Sequence, residues 1–319
     1  MSKEGSTRVV IAALIINLLI AGFKFFAALV SRSTAMMAEA AHSLADTCNQ
    51  IFLLIGMRAA ARKPDVKHPF GYGPETYFWA FMVALCIFTL GAGFSLHEGL
   101  QKIFHDDDGS QKLGDIRWAV GVLLVSVLLE SYSLSVAMKE FRHLRAGRGI
   151  RRTLEEARDP TVLTVLFEDL AALLGLGMAL GGLLLTHYTG KPVWDGVASV
   201  LVGLILGAVA VMLARDSKSL LIGKGVTPAD DKLIRDIVAG HADVAEVVHL
   251  RTLYLGPTEA LAAIKVRFSG NLDTRTLEAR INEIEAALRA QLPLLRRIYI
   301  EPGFDESVGR GDPPPNLDR

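Results

Sequence analysis

Six apolar runs, each near the roughly 20 residues that cross a hydrocarbon core, occupy the chain from Val9 to Leu213 and leave little choice but a bundle of membrane-spanning helices. They are Val9 to Val30, Ala35 to Met57, Tyr77 to Leu96, Trp118 to Met138, Thr161 to Leu185 and Val193 to Leu213. Apolar residues make up 51% of the chain and mean hydropathy is +0.35, both concentrated in these runs. The first run follows a short polar leader without a small-residue cleavage site and reads as retained rather than as a signal peptide. Cys48 and Cys86 both fall inside runs, which excludes a disulfide framework and a CxxC zinc site.

Arginines and lysines orient the bundle. Lys3 and Arg8 precede the first run, Arg58, Arg62, Lys63 and Lys67 follow the second, and Lys139, Arg142, Arg145, Arg148, Arg151, Arg152 and Arg158 follow the fourth. The opposite loops hold only Arg32, then Lys102, Lys112 and Arg117, then Lys191, so both termini are expected in the cytoplasm. The formal net charge of zero hides this segregation. No cofactor and no nucleic-acid partner is expected.

Beyond about Asp216 the sequence becomes ordinary and polar. Pro228 to Ala239 reads as a helix, Val247 to Tyr254 and Ala260 to Phe268 as strands around a Gly256-Pro257 turn, Leu272 to Leu292 as a long helix, and Arg297 to Glu301 as a last strand. The expected architecture is a six-helix transmembrane bundle over residues 1–215 and a cytoplasmic α+β domain of αββαβ, ferredoxin-like order over 216–302. A disordered end, rich in Gly, Asp and Pro, covers 303–319.

Glu39, His42 and Asp46 follow one another at i, i+3 and i+7 on one face of the second run, and Glu168 and Asp169 lie inside the fifth. Ser43, Thr47 and Asn49 need mean no more than hydrogen bonds between helices. A carboxylate is different, because at the bilayer centre it costs about 2.5–3.5 kcal/mol even on a lenient scale. An imidazole with two or three carboxylates is a ligand set for a divalent metal, and its place in a spanning bundle suggests a path for the ion. Adjacent helical residues lie about 100° apart, so at most one of Glu168 and Asp169 points straight at His42 and Asp46. The expected ligands are His42, Asp46 and Asp169, with Glu168 as a supporting, proton-handling or alternative ligand. Val165, four residues before Asp169, shares its face, so a histidine placed there is expected to stand beside that carboxylate. Lys24 pairs with Glu39 or makes a local polar contact. The run His105 to Gly109 reads as a solvated loop, and Asp195 is expected to reach the interface.

These residues resemble the cation diffusion facilitator family, which exports divalent transition metals in exchange for protons. The resemblance rests on the six runs, the stretch from Ala38 to Asp46, the loop from Asp65 to Gly73, and the αββαβ tail. Members pair HxxxD or DxxxD in span 2 with HxxxD in span 5, a tetrahedral set that suits zinc. Here Val165 stands at the span 5 histidine position, so the chain resembles the branch in which Glu-Asp replaces that motif, a branch that includes mitochondrial zinc exporters. A loop site of the DxxHxxxH kind retains Asp65 and His68 but has Tyr72 third, which leaves a weak site or a merely structural one. In the tail His249 lies one position from the expected ligand, and Lys265 and Glu301 occupy two others. The resemblance therefore implies a homodimer held by packing. It further implies Zn2+/H+ antiport by alternating access, in a bacterial inner (cell) membrane. Mn2+, Fe2+ and Co2+ stay open as cargo because a carboxylate-rich set discriminates poorly. Two rivals are a non-transporting partner or sensor on the same scaffold, and an intramembrane metalloenzyme, against which stands the lack of HExxH.

Overall fold

The computed structural model describes residues 3–31, 34–104, 116–145, 149, 153, 159–191, 193–270 and 272–303. Inside a bilayer the backbone has no water to bond, so each crossing closes its hydrogen bonds on itself as a helix. Helices α1 (Lys3–Ser31) and α2 (Thr34–Ala60) come first. Helix α3 (Glu75–Cys86) continues through a π-helical stretch, Ile87–Gly93, into α4 (Phe94–Phe104). Then come α5 (Ile116–Arg145), α6 (Pro160–Thr189) and α7 (Val193–Ile222).

Five stretches are long and apolar enough to span: Gly5–Phe26, Glu75–Phe104, Val120–His143, Pro160–Thr189 and Val193–Ile222. Helix α2 has 27 residues, its apolar sequence interrupted by Glu39, His42 and Asp46. Hydropathy marks only the middles of these helices, because their ends continue as polar turns: α4 carries Glu98 and Lys102 past Leu96, and α7 runs on from Leu213 to Ile222.

Local chemistry sets the start of α6. Asp159 Oδ1 accepts the Thr161 N–H at 2.9 Å, Pro160 supplies a first-turn residue with no N–H to satisfy, and Ser6 Oγ donates to Asp159 Oδ2 at 2.8 Å, tying α1 to that cap. The residues from Pro160 to Leu166 are buried on every side, as expected of a helix end that is apolar all round. Of these, Leu163, Val165 and Leu166 join Val9, Val10, Leu53, Val83 and Leu213 in one apolar cluster. Facing away from the bundle, Phe26, Leu128 and Leu204 are exposed, a surface suited to lipid. At the end of the bundle remote from the tail, α4 and α7 cross at Gly99 and Gly196. A Cβ on either would lie 2.8–2.9 Å from the other's carbonyl oxygen, so only glycine permits this approach.

The tail is α8 (Pro228–Ala239), β1 (Val244–Gly256), β2 (Glu259–Phe268), α9 (Thr274–Gln291) and β3 (Leu295–Pro302), the αββαβ order read from the sequence. Strand β1 pairs antiparallel with β2 in the register Val247↔Val266 and Leu253↔Leu261, and β2 pairs parallel with β3 through the α9 crossover. Along β2, Ala260, Ala262, Ile264 and Val266 are buried in strict alternation, and they pack on Ile234 and Val238 of α8 and Ile284 and Leu288 of α9. The same apolar cluster takes in Tyr77 of α3 and Leu220 of α7, so the tail core includes two residues of the bundle. Gly73, ahead of α3, meets the β1–β2 turn so closely that a Cβ would overlap the Leu255 carbonyl. The acidic run from His105, the basic residues Arg148, Arg151, Arg152 and Arg158, and residues 304–319 lie outside the described residues.

Candidate functional site

Between the helices lies a cavity of about 250 Å³, and its wall collects ionisable side chains from several helices. Helix α2 contributes Asp46 and Asn49, α6 Glu168 and Asp169, α5 Glu130, and α1 Lys24. Burying so many ionisable groups in a membrane is costly, which makes the cavity the candidate functional centre.

The two adjacent carboxylates of α6 part company. Glu168 is turned to α2, where Asn49 Nδ2 donates to its Oε1 at 2.9 Å and Gln50 Nε2 to its Oε2 at 2.8 Å. Both its oxygens are thus engaged, and the pair of bonds braces α2 against α6. Asp169 is 1% exposed, lies beside Ser133, and its Oδ2 has no hydrogen-bond partner among the described residues. A buried carboxylate oxygen without a protein donor is exceptional, which makes Asp169 a candidate ligand. Asp46 is half-buried on the same wall, close enough for its charge to act on Glu168, Asp169 and Glu130.

His42 lies on α2 one turn before Asp46, but its side chain and that of Glu39 are outside the described residues, as is any pairing of Glu39 with Lys24. Lys24 is buried on the cavity wall, where its charge acts on Glu130. Among the described residues no three His, Cys, Asp or Glu side chains converge closely enough to hold an ion.

Val165 departs from the sequence expectation. It is fully buried in the apolar cluster with Leu163 and Leu166, and the cavity wall does not include it. One turn from Asp169 along α6, the helix has already left the cavity for the apolar cluster. A histidine at 165 would enter that cluster instead of standing beside the ion.

The sequence reading passed over Glu130. It is 7% exposed in the apolar part of α5, on a buried face with Ser126, Ser133 and Ala137 at helical spacing, and its Oε2 has no partner among the described residues. The signal was available, because the insertion cost invoked for Glu168 and Asp169 applies to Glu130 equally. Asp195 was expected simply to reach the interface. Its side chain is partly exposed and also joins an ion triad at the far end of the cavity, with Lys102 Nζ 2.7 Å from Asp195 Oδ2 and 2.8 Å from Glu98 Oε1, beside the Gly99–Gly196 crossing.

The loop residues Asp65 and His68 are exposed and committed to the loop's own structure. Asp65 Oδ1 accepts the Lys67 and His68 N–H groups at 2.9 and 2.7 Å, and Tyr72 donates its hydroxyl to Asp65 Oδ2 at 2.7 Å. The His68 ring lies against Tyr72, centroids 4.3 Å apart. The Tyr72 hydroxyl and the two amides hold the Asp65 carboxyl below its ordinary pKa, and the same bond raises the Tyr72 phenol. Of the two readings open for this site, the contacts present are those of a structural one. In the tail, His249 pairs across β1–β2 with Lys265, which forms an ion pair of 3.4 Å with Glu301. An ammonium there neutralises the carboxylate that a cation would need.

Comparison with known proteins gives a match of residues 10–222 to the cation efflux transmembrane domain. The chain is 32% identical over 299 residues to the proton-coupled zinc antiporter SLC30A9, mitochondrial, of Xenopus laevis, covering 91% of this chain and 53% of that protein. It is 31% identical to metal tolerance protein C4 of Arabidopsis thaliana, covering 85% of this chain and 59% of that one. It is 25% identical to zinc transporter ZitB of Pectobacterium atrosepticum, covering 80% and 74%. The chain spans about half the length of the mitochondrial and plant relatives.

Proposed function

We propose that this chain, which belongs to the cation efflux family, exports a divalent transition metal, zinc first, by exchange with protons. The observation that carries the reading is the cavity between the helices lined by both Asp46 of α2 and Asp169 of α6, with an Asp169 oxygen that has no partner among the described residues. His42, one turn from Asp46, supplies the nitrogen donor, and Glu168 steadies the site from α6. The relatives' printed names, a proton-coupled zinc antiporter and a zinc transporter, support zinc and antiport. Manganese, iron and cobalt are weaker candidates for an oxygen-rich set.

The mechanism follows from ligand chemistry. Carboxylates and imidazole bind a metal only when deprotonated, so loading the ion releases protons and protonation releases the ion. If the bundle rocks between two states that open the cavity to opposite sides, this competition couples the two fluxes in opposite directions. On this reading α2 is the sixth span and residues 1–215 are the transport unit. Residues 216–302 form a cytoplasmic, ferredoxin-like domain that pairs two copies by packing. The arginine and lysine distribution supports cytoplasmic termini, and we place the protein in a bacterial inner membrane.

The test is metal-driven flux in proteoliposomes. Asp46→Asn and Asp169→Asn keep side-chain size while removing an anionic ligand, and each should abolish transport in a folded protein. Normal flux in either variant would end the proposal.

A further inference from the structure

We propose that Glu130 of α5 is a ligand of the transported cation, supplying a donor from a third helix. The inference rests on the cavity reading above and extends it to a residue outside α2 and α6.

Three observations carry it. Glu130 is more than nine-tenths buried, its Oε2 has no partner among the described residues, and it stands on the wall of the cavity that holds Asp46 and Asp169. Those two carboxylates are near enough for their charges to act on it. A purely structural carboxylate in the bilayer would be expected to have both oxygens satisfied, as Glu168 has, because an unbonded buried oxygen adds a desolvation cost to an already costly residue. Two orphaned oxygens, on Asp169 and Glu130, instead share one cavity from adjacent helices, and a bound cation would have to draw them together with Asp46, since no three described acidic side chains converge here.

The charge balance points the same way. Among the described residues, Asp46, Glu130, Glu168 and Asp169 line this part of the wall with one ammonium, Lys24, whose charge acts on Glu130. Deprotonated for ligation, these carboxylates outnumber the lysine, and a divalent cation offsets the difference. Val165, one turn before Asp169, is an apolar residue buried in a cluster and offers no donor. Glu130 adds an oxygen donor, which moves the set towards oxygen-preferring ions such as manganese relative to one with two imidazoles.

The experiment is calorimetric titration of the purified full-length protein with zinc chloride and with manganese chloride. Glu130→Gln should weaken both by more than the roughly 10- to 100-fold that loss of an outer partner costs. Glu130→His should recover zinc binding but not manganese binding, since imidazole suits zinc and manganese prefers oxygen. A counter-ion role for Glu130 towards Lys24 predicts otherwise: both variants would lose stability with no change in the zinc-to-manganese ratio. If Glu130→Gln fails to fold, Lys24→Met/Glu130→Gln, which removes both charges together, is titrated in its place with the same expectation. Asp46→Asn is the control. Lost binding in Asp46→Asn with parental affinities in Glu130→Gln overturns the Glu130 proposal alone, whereas parental binding in both overturns the cavity as the ion site.

Discussion

The sharpest consequence of the site geometry is that neighbouring residues of α6 respond differently to loss of charge. Glu168→Gln keeps the side chain's length but replaces one acceptor oxygen by a donor, so it keeps one of the bonds from Asn49 and Gln50 and faces the other with a donor of its own. Intramembrane hydrogen bonds average about 0.6 kcal/mol and reach about 1.7, so the damage from the broken bond and the weakened one amounts to roughly 1–3 kcal/mol. If that strain falls on the alignment of Asp46 with Asp169, metal affinity drops by roughly 10- to 100-fold, about 1.4–2.7 kcal/mol, as for other residues that steady a ligand. Asp169→Asn removes a ligand and abolishes binding. Gln50→Leu deletes the bond to Glu168 Oε2 from the other side and should reproduce part of the Glu168→Gln effect. The assay is zinc affinity of each purified variant, alongside proteoliposome flux. Equal, complete loss in Glu168→Gln and Asp169→Asn would refute the reasoning, because Glu168 would then be a ligand and not a brace. So would an unchanged affinity in Gln50→Leu.

The loop and the tail give two more expectations. Tyr72→Phe removes the strongest of the bonds to Asp65, so the Asp65 pKa should rise towards its ordinary value, read by pH titration of its carboxyl resonance. Because the folded-state pKa is depressed, this carboxylate's contribution to loop order is present above the ordinary carboxylate range and is lost as pH falls through the folded value; an unshifted Asp65 in the variant would contradict that. The isolated tail, residues 226–302, should be a dimer with or without a chelator, measured as mass in solution, since Lys265 and Glu301 already neutralise one another. A monomer, or a dimer that dissolves on chelation, would count against packing as the source of pairing.

Much of the architecture was legible because it depends on patterns that survive without tertiary information. The alternation along β2 and the apolar runs each report a solvent boundary, and the structure places elements on those same segments. Helix ends were less legible, since hydropathy falls where α4 and α7 leave the apolar layer while their hydrogen bonding continues. In the site, the carboxylates of α2 and α6 stood out as a motif, whereas Glu130 stood alone in its run and drew no attention although its insertion cost is the same. The orientation of Val165 could not be read at all. Periodicity puts it on the face of Asp169, but which neighbour that face meets one turn away depends on where the cavity ends, and that is set by the packing of α1, α3 and α7. The division of labour between Glu168 and Asp169 was equally hidden, because it depends on the amides of Asn49 and Gln50 across a helix interface.

Helix α7, like the α3–α4 rod beside it, runs from the tail core to the Lys102–Asp195 contact. Asp195 near its first turn holds Lys102 at 2.7 Å, and Leu220 near its last turn is buried in the tail core. At 1.5 Å per residue the rod between them is about 38 Å long, so pivoting it by about 10° at the tail would swing the Asp195 end by roughly 7 Å. That displacement is more than twice the length of the Lys102–Asp195 contact. A lever of this kind needs no signal to pass through the cavity: whatever limits the tilt of the tail also limits how far the Lys102–Asp195 contact can shift.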